Sequence, residues 1–277
     1  LAALHCFRAD FLESRRLHTE VLASAERRGD AHNQAWALRG QIYNMLLEGE
    51  FEPALVALNR LEHLMRQEQH LVDQALNIDR YGLLAVGNLP RGHLKTAPSA
   101  AGTAARLIGN SSPTSYLSLP GYAGVAETYL TLWERQMRAE LGLNVNELNQ
   151  SQMQKAQTHH YHSPYKAAAR EACRALRRYA RVFPIGQPRA HLWQGVFEWL
   201  SGRPRVAGEH WSKGLQAAKR LGMPYAEGLL YLEIARHLPA GDVMRADHFM
   251  QATRIFERIA APYDLQRARV LAQRDSG

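Results

Sequence analysis

Three imidazoles fall within four residues at His159, His160 and His162. Neutral imidazole is a common zinc ligand, but a metal site needs three or four donors converging on one point. No Cys or carboxylate stands at ligand spacing beside this cluster, so it reads as part of a solvated polar loop and no metal is expected. The other ten histidines are dispersed, and none forms the His-Glu-x-x-His pair that seats zinc on one helix face. The phosphate-cradling Gly-x4-Gly-Lys-Ser/Thr loop is absent, as are the Gly-x-Ser-x-Gly elbow and the Gly-x-Gly-x-x-Gly fingerprint. Cys6 and Cys173 are far apart and read as free, buried thiols in a reducing compartment. Glu198, Glu209, His210 and Glu233 lie near aromatic stripes, and ordinary helix surface accounts for them. No catalytic residue, metal ligand or cofactor is expected, and the segment reads as non-enzymatic.

Charge supplies the one feature with a binding chemistry. The net charge is +8, from 34 Lys and Arg against 26 Asp and Glu, and only five of the basic residues are lysine. Most of the excess is dispersed arginine interleaved with acids. It concentrates on the helix expected at 164–183, where Lys166, Arg170, Arg174, Arg177, Arg178 and Arg181 fall three or four apart with Glu171 the only acid. Ala169, Cys173, Leu176, Ala180 and Phe183 form the opposing apolar stripe. The plain alternative is a solvated helix face. The functional reading is a docking surface for an acidic protein partner or for another domain of the same chain. Nucleic acid is not expected, because neither a second basic element nor an aromatic platform completes a groove. Trp36, Trp133, Trp193, Trp199 and Trp211 sit mostly on apolar stripes and read as core.

The elements that position these residues are helices. Trp36, Gly40, Tyr43 and Leu47 recur at helical spacing, as do Ala54, Leu58, Leu61 and Met65. Ala207, Trp211, Gly214, Ala218 and Leu221 repeat the pattern, and no strand-length alternation stands out, so the fold is all-α. A Gly followed five residues later by Ala occurs at Gly49/Ala54, Gly202/Ala207 and Gly241/Ala246, with Gly87/Gly92 and Asp10/Arg15 as weaker copies. Turns at 10, 49 and 87 are 39 and 38 apart, and 202 and 241 are again 39 apart. Such a period marks stacked helical hairpins, about six here, with a capping helix after Pro262. Between 87 and 163 the rhythm breaks: a helix at about 93–109, a loop at 109–121, a helix at about 122–140, and a polar insertion at 141–163. Ser163 then caps a new helix and Pro164 starts it.

The 277 residues therefore read as one helical-repeat domain over 1–277. No stretch approaches the length of a transmembrane helix, no signal peptide is evident, and the first residue is Leu. The chain is expected to be cytoplasmic and a fragment of something longer.

Gly195, Gly202, Ala207 and Trp211 match the tetratricopeptide pattern at that family's spacing, and Gly40 with Gly49 match it partially, nine apart instead of seven. The strings FPIGQPRAHLWQGVFEWLSGRP (183–204), WSKGLQAAKRLGMPYAEGLLYLEIARHLPAGD (211–242) and ADHFMQATRIFERIAAPYDLQRAR (246–269) resemble the C-terminal tetratricopeptide-like region of large bacterial signalling proteins. Those proteins join a class III adenylate/guanylate cyclase or a Ser/Thr kinase to an AAA-type STAND ATPase. The resemblance implies a non-catalytic interaction and regulatory module beside such an ATPase, and its nucleotide and metal motifs are absent here. A different reading is the effector-sensing region of a STAND-type transcription regulator, though the chain ends in ARVLAQRDSG without a helix-turn-helix.

Overall fold

The computed structural model describes residues 1–68, 73–93, 95–109, 112–142, 163–239 and 241–273. Among them are thirteen α-helices and no strand, so the chain is all-helical. Contacts divide it into two compact units, 1–128 and 129–277.

The first unit holds α1 (Ala2–Phe7), α2 (Phe11–Arg27), α3 (Ala31–Glu48), α4 (Phe51–Gln67), α5 (Gln74–Asn88), α6 (Thr96–Ile108) and the start of α7 (Leu119–Glu140). Each helix packs on the next from α1 to α6, and α3 also packs on α1 and α5. Short polar side chains set the starts. Asp10, Asp30 and Asp73 each accept a backbone N–H from the first turn of α2, α3 and α5. The α3–α4 core is Ala35, Leu38, Ile42, Ala54, Leu58 and Leu61, all buried. Trp36 and Tyr43, expected on the buried stripe of α3, are half-buried at its edge.

The turns follow a rule slightly different from the expected one. Among the positive-φ residues, Gly29, Gly222 and Ala260 are followed five residues later by Gln34, Glu227 and Leu265, whereas four turns keep a small buried residue there: Ala9 (φ 59°), Gly49 (φ 81°), Gly92 (φ 70°) and Gly202 (φ 75°). Five residues after each stands a small, fully buried side chain: Ser14, Ala54, Ala97 and Ala207. Gly87 is therefore not a turn residue. It lies inside α5, where an added Cβ would sit 3.3 Å from Leu46, and Pro90 stops the helix just beyond. Asp10 is likewise the cap after the turn rather than the turn itself. The turns at 9, 49 and 92 are 40 and 43 apart, because the helices before them differ in length.

The second unit continues from the end of α7 with α8 (Pro164–Val182), α9 (Gln187–Leu200), α10 (Pro204–Leu221), α11 (Pro224–His237), α12 (Val243–Arg258) and α13 (Pro262–Gln273). Ser163 caps α8 through a bond from the Tyr165 N–H at 3.1 Å, and Pro164 occupies its first turn, as expected. Successive helices from α8 to α13 pack together, and α9 and α13 also pack on α11. From Leu192 to Leu200 α9 is buried on every side. Gly241 has φ 85°, but Ala246 is exposed. In α12 Phe249, Ala252 and Phe256 form the buried stripe instead, and Phe256 lies against Gly228 of α11. Two bulky rings set this interface, so the small residue five past the turn has no role in it.

Gly40 and Gly195 each lie directly under a ring of the neighbouring helix. An added Cβ at Gly40 would lie 2.0 Å from the His18 ring, and one at Gly195 2.2 Å from Trp211 Nε1. The Trp211 indole also donates to the Leu192 carbonyl at 3.2 Å. Gly195→Ala is thus expected to lose about 1–3 kcal/mol through overpacking. Gly208→Ala, with nothing within 4 Å of the new methyl, is the control and should be neutral or slightly stabilising. Urea unfolding of the two variants checks the contrast.

Candidate functional site

The basic helix α8 forms because Ala, Leu and Arg favour helix and its apolar residues fall on one side. Ala169, Ala172, Cys173, Leu176 and Ala180 are buried, while Phe183, just past the helix, is half-buried. On the opposite side Arg170, Arg174 and Arg181 are exposed, and Lys166, Arg177 and Arg178 are half-buried. Arg174 donates to Glu171 at 2.6 Å. Arg170, Arg177 and Arg181 form no salt bridge with any described residue. Lys166 Nζ lies 5.6 Å from the centre of the Trp133 ring, and the Arg170 guanidinium 6.0 Å from that of Phe197. The aromatic rings hold these two side chains over apolar surface while their charges stay near solvent.

The structure adds a feature that the residue pattern did not disclose. His191 of α9 and His210 of α10 meet Nδ1 to Nδ1 at 3.1 Å. They are nineteen residues apart, the separation that also joins Leu192 to Trp211 across the same hairpin. Hairpin register, applied to histidines, is the signal that finds the pair. Burial, then His210, Lys213 and Arg177, depress His191 to about 4. Burial likewise lowers His210, opposed by Glu198 and Glu209 and reinforced by Lys213 and Arg177. Arg177 thus belongs both to the face of α8 and to the surroundings of the imidazole pair, so the cationic surface reaches a second and third helix.

Two of the carboxylates assigned to helix surface are buried. Glu198 accepts from Gln194 Nε2 at 2.6 Å and from Arg203 Nε at 2.5 Å. Glu233 accepts both of its bonds from Arg236, at 2.8 and 2.9 Å. Arg236 and Arg138 also each donate to Glu134, and Glu134 and Arg236 form a bridge of 2.5 Å. Burial alone would raise Glu134, but Arg236 and Arg138 outweigh it and hold it at about 2. Glu209 is exposed as expected. Charges that read as hydrophilic in a sequence are interior here, because each has an arginine partner three to five residues away or across a helix interface.

His237 stands next to this network. Its Nδ1 donates to the Glu233 carbonyl at 2.6 Å, its ring stacks on Trp211 and meets the edge of Trp199, and Nε2 has no partner among the described residues. In the first unit a buried Arg39 donates to Asp79 at 2.5 Å and to the Leu117 carbonyl, and Asp79 accepts the Gly121 N–H at 2.7 Å.

Cys6 and Cys173 are free and buried, and burial pushes both thiols up to about 12. Neither is a thiolate at neutral pH. Trp133, Trp193, Trp199 and Trp211 are buried. The His159, His160 and His162 cluster lies outside the described residues, as does most of the insertion expected at 141–163. Among the described residues no three His, Cys, Asp or Glu converge as a metal site, and no helix is long and apolar enough to cross a membrane. No protein-family model matches the chain, and no curated protein matches its sequence.

Proposed function

We propose that this chain is a non-catalytic protein-interaction and regulatory module, built of tetratricopeptide-like hairpins stacked as a solenoid. Its partner would be an acidic protein segment or the ATPase domain of the same longer protein. That protein would be a cytoplasmic bacterial signalling ATPase associated with a nucleotide cyclase or a kinase. Regulation would come from partner binding that favours one state of the ATPase over the other. One observation carries the reading: α8 buries its apolar side and presents exposed Arg170, Arg174 and Arg181 on the other. Arg170 and Arg181, which no described carboxylate neutralises, supply complementarity to an acidic surface and speed encounter with it, while Arg174 shares its charge with Glu171. A left-handed turn residue with a buried small residue five further on, found at Ala9, Gly49, Gly92 and Gly202, supports the repeat architecture.

The test is calorimetric titration of the chain against the remainder of its full-length protein, with ATP hydrolysis followed alongside. Binding and a changed hydrolysis rate are expected. Reversing Arg170, Arg174 and Arg181 to Glu should weaken binding by about tenfold or more and flatten its salt dependence, with the thermal midpoint unchanged. No binding and no change in hydrolysis would sink the self-docking form of the proposal.

A further inference from the structure

The His191–His210 contact constrains its own protonation. A hydrogen bond between two Nδ1 atoms needs one N–H donor and one lone-pair acceptor. The acceptor ring therefore carries its proton on Nε2, and the donor ring has a bare Nε2. Neither Nε2 is among the buried unpaired atoms, and the Nδ1 contact is the one polar bond of each ring. Both Nε2 atoms consequently reach solvent. One added proton converts the pair from one outward N–H donor into two.

The charges around the pair select the sign of its ligand. Two imidazole nitrogens 3.1 Å apart have nearly the spacing of two ligands on one tetrahedral metal ion. Among the described residues no third His, Cys, Asp or Glu joins them as a ligand, and the groups acting on both rings include two cations, Arg177 from α8 and Lys213 from α10. The opposing carboxylates act on His210 alone, and neither is idle. Glu198 is occupied by Gln194 and Arg203, and Glu209 lies 3.7 Å from Arg205. A dication would meet net repulsion here. An oxyanion would meet one or two imidazole N–H donors in the field of the Lys213 ammonium, one helical turn from His210, and of the Arg177 guanidinium.

We propose that His191, His210, Lys213 and Arg177 form a proton-linked phosphate site, the anchor for a phosphorylated acidic segment on the α8 face. The peptide part rests on the docking function proposed above; the phosphate part stands on the pair itself. A phosphate dianion draws a proton onto the donor ring, and the proton comes from solvent. Binding of the dianion therefore takes up one proton and strengthens as pH falls to the phosphate's own second ionisation at about 6, below which the incoming phosphate already carries that proton. The exposed arginines of α8 would engage the acidic residues flanking the phosphate.

The histidine ring resonances of the full chain, followed by NMR at constant ionic strength, test the site with inorganic phosphate as probe. The His191 and His210 signals should move saturably, and their apparent ionisation midpoint should rise by about one pH unit or more. The exposed-site variant Lys213→Gln should abolish that rise while the other histidine signals stay in place. Equal shifts with chloride, no shift, or a saturable response to zinc in place of phosphate would overturn the proposal. A second arm compares a short Asp/Glu-rich peptide with its phosphoserine counterpart. The phosphopeptide is expected to bind about tenfold tighter, with the advantage lost in Lys213→Gln. Equal affinity of the two peptides overturns the phosphate anchor and leaves acidic docking standing. A phosphate response with neither peptide bound overturns the peptide source and leaves a free-anion site.

Discussion

Replacing Asp79 by Ala is expected to cost about 3–5 kcal/mol of folding stability, read as a lower urea midpoint. Arg39 and Asp79 are both almost wholly buried, and their bond of 2.5 Å joins α3 to α5. The second carboxylate oxygen accepts the N–H of Gly121 in the first turn of α7, where the helix dipole favours a negative charge. The same guanidinium bonds the Leu117 carbonyl, so one arginine and one aspartate tie the 116–121 segment to two helices. Removing the carboxylate leaves a buried guanidinium without its counter-charge and the Gly121 N–H without its acceptor. Arg39→Met with Asp79→Leu should recover part of the loss, because the apolar pair carries no buried charge while the Gly121 N–H and the Leu117 carbonyl stay without their partners. An Asp79→Ala variant within about 1 kcal/mol of the parent would show that the pair is dispensable.

The second unit should lose stability steeply in acid, in two steps. Burial, then Arg236, depress the His237 imidazole to about 4 from its ordinary 6.5. An unfolded chain takes up that proton first, so the His237 contribution is whole above pH 6.5 and disappears as pH falls toward 4. That shift corresponds to about 3 kcal/mol. Glu134, held at about 2 by its two arginines against burial, contributes above its ordinary value of 4.5 and fails as pH falls toward 2. Both signs run the same way. Four of the five tryptophans lie in residues 129–277, so indole fluorescence during denaturation at fixed pH reports mainly this unit. His237→Phe keeps an aromatic ring between Trp199 and Trp211 and removes the titration. It should reduce the slope between pH 6.5 and 4, leaving the shares of His191, which is also depressed to about 4, and of His210 and His248, which burial also lowers. An unchanged slope in that variant would assign the acid sensitivity elsewhere.

The legible part of this fold is periodic and local. Apolar spacing located the helices around Trp36–Leu47, Ala54–Met65 and Ala207–Leu221, and Ser163–Pro164 located the start of α8 because a cap acts within two residues. Gly49 and Gly202 were readable as turns, since a left-handed residue followed by a small one is a short-range requirement. Gly87 misled because a glycine that admits a neighbouring helix has the same letter as one that turns the chain. Ala246 misled for the converse reason: a small residue is needed only where the partner helix comes close, and Phe249 and Phe256 set that distance instead.

The amino-acid order by itself determined an all-helical chain, the helix-by-helix division of most of it, two inert thiols and one cationic helix face. Each follows from interactions within a turn or two of helix, or from side-chain type alone. Tertiary structure decided which charges are interior and which histidines meet. Glu134 with Arg236, Arg39 with Asp79 and His191 with His210 are joined over 102, 40 and 19 residues, through helix packing that no local period encodes. The cationic face of α8 was visible from its own 3.6-residue repeat. Its extension through Arg177 to an imidazole pair and Lys213 exists only because three helices pack side by side.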